Sequence, residues 1–205
     1  MRPDACVGTM PDEVIEMKAR AIFFDRDGTL LVEMGYIVHP SVARPYRFAA
    51  QALSEARQRG FLLIAVTNQS GVARGYMRES ELAAIHNGMQ DLLGRSGAAL
   101  DAIYYCPHHP LGRVPAYRRT CDCRKPGTAL GVAAAERFDI DLPRSFMIGD
   151  KETDVQFGTN LGVTPCLVRT GYGSYEEQAV KAECGESARV FDHVLGAVDW
   201  IISGA

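Results

Sequence analysis

The sequence predicts an α/β fold built on a doubly wound, Rossmann-like parallel sheet with helices on both faces. Short apolar runs alternate with helix-like segments along the chain, which is the usual order of strands and helices in such sheets. The runs are almost continuously apolar, as expected of strands that are buried on both sides. Several of them end in small polar residues, and right-handed crossovers between parallel strands would bring those residues to one edge of the sheet.

The composition fits a single globular domain. The chain has 205 residues, 47% of them hydrophobic and 23% charged, and is long enough to bury a core. Its 22 basic and 25 acidic residues give a formal net charge of -3, which argues against a nucleic-acid-binding surface. No apolar run reaches membrane-spanning length, and the acidic start does not resemble a signal peptide. We therefore expect a leader over residues 1–19, one domain over residues 20–205, a cytoplasmic location and a monomer.

The first half of the chain divides at glycines and prolines. In order, we predict a strand over 21–24, a loop over 31–48, a helix over 49–59, a strand over 61–66 and a helix over 78–95. Gly28 permits a sharp turn out of the first strand. Gly35, Pro40 and Pro45 interrupt any regular period in the loop, and Gly60 ends the first helix.

The second half continues the alternation after an irregular segment. We predict a strand over 101–105, a proline-rich segment over 106–126, a helix over 128–138, a strand over 146–148, a helix over 152–160, strands over 164–168 and 189–191, and a helix over 193–202. Alanines and their spacing favour the helix over 128–138. The pattern gives no helix between residues 169 and 188.

Polar groups cluster at four turns of this predicted fold. They are Asp25 with Asp27, Thr67 with Asn68, Arg124 with Lys125, and Asp150 with Asp154. Each pair alone also fits a helix cap, a turn or a solvated charge. However, the carboxyl edge of an open parallel sheet is where ligands bind, and two close carboxylates need a cation such as Mg²⁺ between them.

Together and in this order, the four groups resemble the four motifs of the haloacid dehalogenase superfamily of phosphohydrolases, over about residues 20–173. The resemblance implies that Asp25 attacks phosphorus and forms an aspartyl phosphate, while Asp27 serves as general acid and then general base. It also implies Mg²⁺ ligation by the side chains of Asp25 and Asp150 and by the backbone carbonyl of Asp27. The role of Asp154 stays open between a first-turn helix acid and a supporting residue of the site.

A second metal site is predicted in the irregular segment. Cys106, His108, His109, Cys121 and Cys123 supply three thiols and two imidazoles, which suit a closed, structural Zn²⁺ site. A disulfide is the alternative, but Cys121 and Cys123 are too close in sequence to pair easily. Spacing alone does not separate His108 from His109 as the fourth ligand. A zinc site would order a loop over 106–123 that has few other partners.

The motifs D-R-D-G-T, T-N-Q-S-G-V-A-R-G, C-P-H-H-P, C-D-C-R-K-P and G-D-K are similar to one branch of the superfamily, the heptose 1,7-bisphosphate 7-phosphatases and related histidinol phosphatases. This resemblance implies minimal cap loops, His108 as the zinc ligand, and removal of the 7-phosphate of D-glycero-D-manno-heptose 1,7-bisphosphate, with histidinol phosphate or another small sugar phosphate as the alternative substrate. The implied substrate-binding residues are Arg26, Glu33, Met34, Gly35, Tyr36, Thr67, Asn68, Gln69, Ser70, Arg124, Lys125 and Lys151.

Two further points bear on substrate choice and on function. Arg124 suits a second phosphate, because its guanidinium can donate two parallel hydrogen bonds. Glu33 stands where enterobacterial relatives usually have aspartate, and no His-Pro step follows Lys125-Pro126; both departures concern specificity. A non-catalytic module that grips nucleic acid through the zinc loop and Arg118 and Arg119 is the competing hypothesis, and the excess of acidic residues disfavours it.

Overall fold

The chain folds around a six-stranded sheet in which every pair of neighbouring strands is parallel. The computed structural model describes residues 18–185 and 188–204, so almost all of the predicted leader lies outside the described residues. The strands are β1 Ala21–Phe24, β2 Leu62–Asn68, β3 Ala102–Cys106, β4 Phe146–Gly149, β5 Thr164–Val168 and β6 Arg189–Phe191. Their order across the sheet is β3-β2-β1-β4-β5-β6.

Helices cover both faces of this sheet. They are α1 Ala49–Gln58, α2 Glu79–Gly94, α3 Ala129–Phe138, α4 Glu152–Leu161, α5 Gly173–Cys184 and α6 Val194–Ile202. One apolar cluster joins the sheet to α1, α2 and α6, and a second joins it to α3 and α4. The prediction of a doubly wound parallel α/β fold is therefore confirmed. In the part of the chain that the structure describes, no helix is long and apolar enough to cross a membrane.

The site lies where the winding of the sheet reverses direction. The chain passes from β1 outward through β2 to β3, then returns to place β4 on the other side of β1. All four residues of β1 and of β4 are buried, which explains their continuously apolar sequences. A crevice opens at such a switch point beyond the carboxyl ends of the central strands, and ligands bind there in open α/β sheets.

Two sequence predictions need correction. Helix α5 was not predicted, because its glutamate- and lysine-containing sequence buries only Gly173 and Val180 and shows little apolar periodicity. Strand β2 also extends further than predicted, through Asn68, because Asn68 remains in register with Cys106 of β3. Cys106 therefore ends a strand, and the irregular segment begins one residue later.

Candidate active site

Three buried carboxylates meet at the carboxyl ends of β1 and β4. Asp25 follows β1, Asp150 follows β4, and Asp154 lies in the first turn of α4. One oxygen from each lies within 4.8 Å of the others. Burial, and then the charge of Asp25, raise the pKa of Asp150 to about 8. Three acids this close need a cation among them to remain ionised together.

The Asp150 carboxylate has one oxygen engaged and one that lacks a partner. Its Oδ2 accepts the backbone N–H of Tyr172 at 2.9 Å. Its Oδ1 is buried and has no hydrogen-bond partner among the described residues. A buried, unsatisfied carboxylate oxygen is costly, and coordination to a hard cation would satisfy it. The oxygen-only donor set of Asp25 and Asp150 therefore fits Mg²⁺.

Two glycines allow neighbouring backbone segments to lie against the carboxylate of Asp150. Gly28 and Gly171 have φ values of +85° and +58°, in the region that favours glycine. A Cβ atom at either position would overlap the carboxylate of Asp150. The D-x-D-G-T turn after β1 and the turn after β5 therefore both depend on glycine to enclose the carboxylate.

A buried lysine links the nucleophile candidate to Asp154. The Nζ atom of Lys125 lies 2.6 Å from an oxygen of Asp25, 2.6 Å from an oxygen of Asp154 and 2.6 Å from the carbonyl of Val66. Burial alone would lower the pKa of Lys125, but the charges of Asp154 and Asp25 outweigh it and raise that pKa. Lys125 is therefore a fixed ammonium ion whose three N–H groups all have acceptors.

These contacts give Asp154 a role that the sequence left open. Its side chain is buried, its Oδ2 accepts the N–H of Lys151 at 3.0 Å, and its Oδ1 pairs with Lys125. It therefore caps α4 and also fixes the cation beside Asp25. These contacts are compatible with both expectations for Asp154, a first-turn helix acid and a supporting residue of the site.

Asp27 lies beside this group with its carboxylate held from two directions. Arg26 Nη2 donates to Asp27 Oδ2 at 2.7 Å and Arg26 Nε to Oδ1 at 3.1 Å. Gln69 Nε2 donates to the same Oδ2 at 2.9 Å and to the hydroxyl oxygen of Thr67 at 2.9 Å. Since Thr67 accepts this bond, its own O–H remains able to donate to a substrate.

A cavity of about 680 Å³ opens next to Asp27. Of the predicted substrate-binding residues, its lining includes Arg26, Glu33, Gly35, Tyr36, Asn68, Gln69, Ser70, Arg124, Lys125 and Lys151. Thr67 lies instead on a small cavity of about 40 Å³ that also touches Asp25 and Asp154. Met34 is half exposed and lies outside the lining of both cavities.

Other residues of the cavity lining were not predicted to bind substrate, although two of them, His109 and Cys121, were candidate zinc ligands. They are Ile37, His109, Pro110, Thr120, Cys121, Pro126, Thr153 and Tyr172. Lys151 lies 4.7 Å from the ring centre of Tyr172 and 3.5 Å from Glu33 Oε2. Tyr172 could not be found by motif, because it follows β5 and belongs to none of the four polar turns. Only the parallel alignment of β5 beside β4 brings it to this edge.

Cys106, His108, Cys121 and Cys123 converge beside the cavity. The three sulfur atoms lie 3.2 to 3.5 Å apart, and His108 Nδ1 lies 3.3 Å from Cys123 and 3.7 Å from Cys106. A disulfide would require about 2.05 Å between sulfurs. In a tetrahedral zinc site with Zn–S bonds of about 2.3 Å, the sulfurs would lie about 3.8 Å apart. The cluster therefore fits Zn²⁺ better than a disulfide, with His108 as its nitrogen donor.

The cysteine cluster is tied to the active-site turns through the backbone. The N–H of Gln69 donates to the carbonyl of Cys106 at 2.7 Å. Asn68 donates to the carbonyl of Lys125 at 3.1 Å and accepts its N–H at 3.0 Å. Because Lys125 follows Cys123 by two residues, whatever orders the cluster also positions the buried lysine.

Comparisons with known proteins agree with this geometry. A family profile described as HAD-hydrolase-like matches residues 122–197. The D-glycero-beta-D-manno-heptose-1,7-bisphosphate 7-phosphatase of Escherichia coli strain K12 is 42% identical over 153 residues, which are 74% of this chain and 80% of that protein. The protein of the same name from Yersinia pestis is 39% identical over 185 residues, 89% of each chain.

Solved structures give the same family. The crystal structure of D,D-heptose 1,7-bisphosphate phosphatase from B. bronchiseptica, complexed with magnesium and phosphate, matches with a TM-score of 0.79 and 31% identity. The match covers 91% of this chain and 99% of that one. On these similarities the chain belongs to the haloacid dehalogenase-like hydrolases, in the family of the D-glycero-beta-D-manno-heptose-1,7-bisphosphate 7-phosphatases.

Proposed function

We propose that this protein is a Mg²⁺-dependent phosphatase that removes the 7-phosphate of D-glycero-D-manno-heptose 1,7-bisphosphate through an aspartyl phosphate on Asp25. The observation that supports it most strongly is the pairing of Asp25 with the buried ammonium of Lys125, next to an Asp150 oxygen that lacks a partner. A nucleophile, a fixed cation and a cation-binding oxygen thus meet at one point. The names of the relatives support the choice of substrate.

In the first half-reaction, an oxygen of Asp25 forms a bond to phosphorus and the bond from phosphorus to the sugar oxygen breaks. Asp27, as a carboxylic acid, gives its proton to the leaving oxygen and becomes a carboxylate. The positive charge of Lys125, held beside Asp25, and the hydroxyl of Thr67, which can still donate, stabilise the charge on the transferring phosphoryl group. In the second half-reaction, Asp27 takes a proton from water as that water attacks phosphorus and frees Asp25.

Magnesium would be held by the side chains of Asp25 and Asp150 and by the backbone carbonyl of Asp27. When bound, it offsets the repulsion between the carboxylate nucleophile and the anionic phosphate. The unsatisfied Oδ1 of Asp150 and the raised pKa of its carboxyl are the features of this chain that favour such a site. The ion pair of the buried Asp154 with Lys125 supports a role in holding the lysine, which is why Asp154 is left out of the proposed ligand set.

Nitrogen groups in the cavity lining, and one beside it, support a substrate with a second phosphate. His109 Nδ1 accepts the N–H of Leu111 at 3.1 Å, so a neutral imidazole has its proton on Nε2. That Nε2 lies 3.2 Å from Nη2 of Arg74, and neither group can accept from the other. Burial, and then the charges of Arg124 and Arg74, lower the pKa of His109 and keep it neutral. A phosphate oxygen could accept from both donors, and Arg124, which lines the cavity together with His109, could add its guanidinium.

The remaining assignments follow from the same contacts. We propose Zn²⁺ as a structural ion at Cys106, His108, Cys121 and Cys123, since four protein ligands leave no open position for chemistry. We keep a monomer as our expectation. A cytoplasmic location suits the thiol ligands, because reducing conditions keep cysteines free to bind metal.

Steady-state kinetics with three substrates test the proposal. We expect kcat/KM for heptose 1,7-bisphosphate to exceed the values for fructose 1,6-bisphosphate and histidinol phosphate by at least tenfold, with Mg²⁺ required for all three. Phosphorus NMR of the product should show that the 1-phosphate remains. A preference for histidinol phosphate would overturn the substrate, and turnover that persists in Asp25→Asn would overturn the mechanism.

A further inference from the structure

The side chain of Gln69 has no donor left for a substrate. An amide side chain offers two N–H groups. Both are used here, one by Asp27 and one by Thr67, and the carbonyl oxygen accepts Nη2 of Arg26 at 2.9 Å. Gln69 is also only 4% exposed. Although it lies in the lining of the cavity, these contacts do not fit the substrate-binding role that its position in the T-N-Q-S motif implied.

The guanidinium of Arg26 also donates hydrogen bonds to Asp27. It is 1% exposed, and two of its three guanidinium nitrogens face Asp27 while one of those also meets Gln69. The third nitrogen, Nη1, is buried and has no partner in the described part of the chain. Arg26 and Gln69 therefore enclose the Asp27 carboxylate between them, with these hydrogen bonds committed to Asp27, to Thr67 and to each other.

The two oxygens of Asp27 are not held equally. Oδ2 lies 2.7 Å from Arg26 Nη2 and 2.9 Å from Gln69 Nε2, whereas Oδ1 lies 3.1 Å from Arg26 Nε alone. Oδ1 is therefore the oxygen with capacity left to exchange a proton with a substrate or a water. The Asp27 side chain is 16% exposed and lines the cavity, whereas Arg26 and Gln69 are almost completely buried.

We propose that Gln69 is a positioning residue for the general acid Asp27, which it fixes relative to the phosphate-binding Thr67, and that it does not bind substrate. The backbone of Gln69 is anchored in turn, because its N–H donates to the carbonyl of Cys106 at the end of β3. The inference rests on the phosphotransfer function proposed above and adds a residue to it.

The leaving group gives a direct test. The value of kcat/KM reports the steps up to phosphorylation of Asp25, the first irreversible step. A sugar oxygen leaves poorly without a proton, whereas nitrophenolate leaves without one, so misplacing Asp27 should slow only the sugar phosphate. We compare wild type and Gln69→Met with the sugar phosphate that wild type hydrolyses fastest and with p-nitrophenyl phosphate.

We expect Gln69→Met to lower kcat/KM for the sugar phosphate by about 100-fold, at the low end of what general acid catalysis contributes. The value for p-nitrophenyl phosphate should fall by less than about threefold, and KM for the sugar phosphate should stay within about twofold of wild type. Asp27→Asn should show the same selectivity. The double variant should lose little more than Asp27→Asn alone, because both changes remove one function.

Gln90→Met is the matched control. Gln90 also makes two hydrogen bonds through its amide, from Nε2 to the carbonyl of Leu100 and from the Leu100 N–H to Oε1, both at 2.8 Å. It lies in α2, away from the site, so its replacement should affect both substrates equally. Thermal melts of both variants check that each is folded.

Three outcomes would overturn the inference. An equal loss with both phosphate esters would show a structural role, and a rise in KM alone would show substrate binding. Activity of Gln69→Met equal to wild type on both esters would show no role. A wild type that hydrolyses p-nitrophenyl phosphate and other sugar phosphates but not heptose 1,7-bisphosphate would overturn the proposed substrate and leave this inference standing.

Discussion

Replacing Lys125 with methionine isolates the effect of the buried charge at the centre of the site. Methionine is of similar length and apolar, so Lys125→Met removes an ammonium whose three N–H groups contact Asp25, Asp154 and the carbonyl of Val66 at 2.6 Å each. The substitution leaves three carboxylate oxygens within 4.8 Å of one another and no protein cation among them.

Stability should fall strongly without magnesium. Removing one partner of a buried ion pair typically costs about 3–5 kcal/mol, because the remaining charge stays buried and unpaired. For a domain of this size, each kcal/mol lowers Tm by about 2–4 °C, which predicts a drop of about 6–20 °C. Magnesium should restore part of the loss, since a ligand at 100 times its Kd adds about 2.7 kcal/mol.

Denaturant unfolding with and without Mg²⁺ measures the change in the free energy of unfolding, and thermal melts measure the change in Tm. Steady-state kinetics measures the catalytic loss. We expect kcat to fall by about 100- to 1,000-fold, because the fixed positive charge beside the developing negative charge is lost; removal of one fixed donor at such a charge has an effect of this size. Lys18→Met is the control, because Lys18 forms an exposed pair with Asp139 and should cost less than about 1 kcal/mol. A loss below about 1 kcal/mol for Lys125→Met without Mg²⁺, or a kcat within tenfold of wild type, would refute the reasoning.

Three further predictions concern single residues. Asp25→Asn should abolish turnover, because it removes the nucleophile and one metal ligand, and should leave the circular dichroism spectrum unchanged, because Lys125 keeps its pair with Asp154; residual turnover above about 0.1% would contradict the assignment. Cys121→Ser should release zinc and lower Tm, because a structural zinc site contributes directly to folding; unchanged zinc stoichiometry by elemental analysis would refute the ligand set. Arg124→Lys should raise KM for a bisphosphate by about tenfold and leave KM for p-nitrophenyl phosphate unchanged, because a lysine cannot donate two parallel hydrogen bonds; equal changes for both esters would exclude a second-phosphate role.

The fold was predictable because its central strands are unusually clear in the sequence. Strand β1 is four consecutive buried apolar residues followed by the D-x-D-G-T turn. Strand β4 is also four buried residues, and Asp150 follows it directly. The alternation of strands and helices predicts parallel strands in one sheet, in which β1 and β4 lie side by side. Helix α5 was missed because a helix that buries little apolar surface has no stripe to detect.

Site residues were predictable where chemistry and motif coincide, and not where tertiary packing assigns the role. Asp154 is indistinguishable in sequence from an ordinary helix cap, and its pairing with Lys125 depends on the loop that crosses from β3 to α3. Likewise, only the fold shows that His109 faces Arg74 on the cavity wall and that His108 Nδ1 faces the thiols. Spacing gives the residue types of a site but not the direction of each side chain.

The proposed phosphorylation of Asp25 beside a cation shared with Asp150 can be tested by chemical trapping. Borohydride reduces an aspartyl phosphate to homoserine, and Asp27→Asn should let the intermediate accumulate because no general base remains to hydrolyse it. Mass spectrometry of Asp27→Asn, quenched with borohydride during turnover of p-nitrophenyl phosphate, whose leaving group needs no proton, should find homoserine at position 25 only when the ester and Mg²⁺ are both present. Adding Asp150→Asn should abolish the signal. Trapping at another residue, or equal trapping without Mg²⁺, would contradict the account.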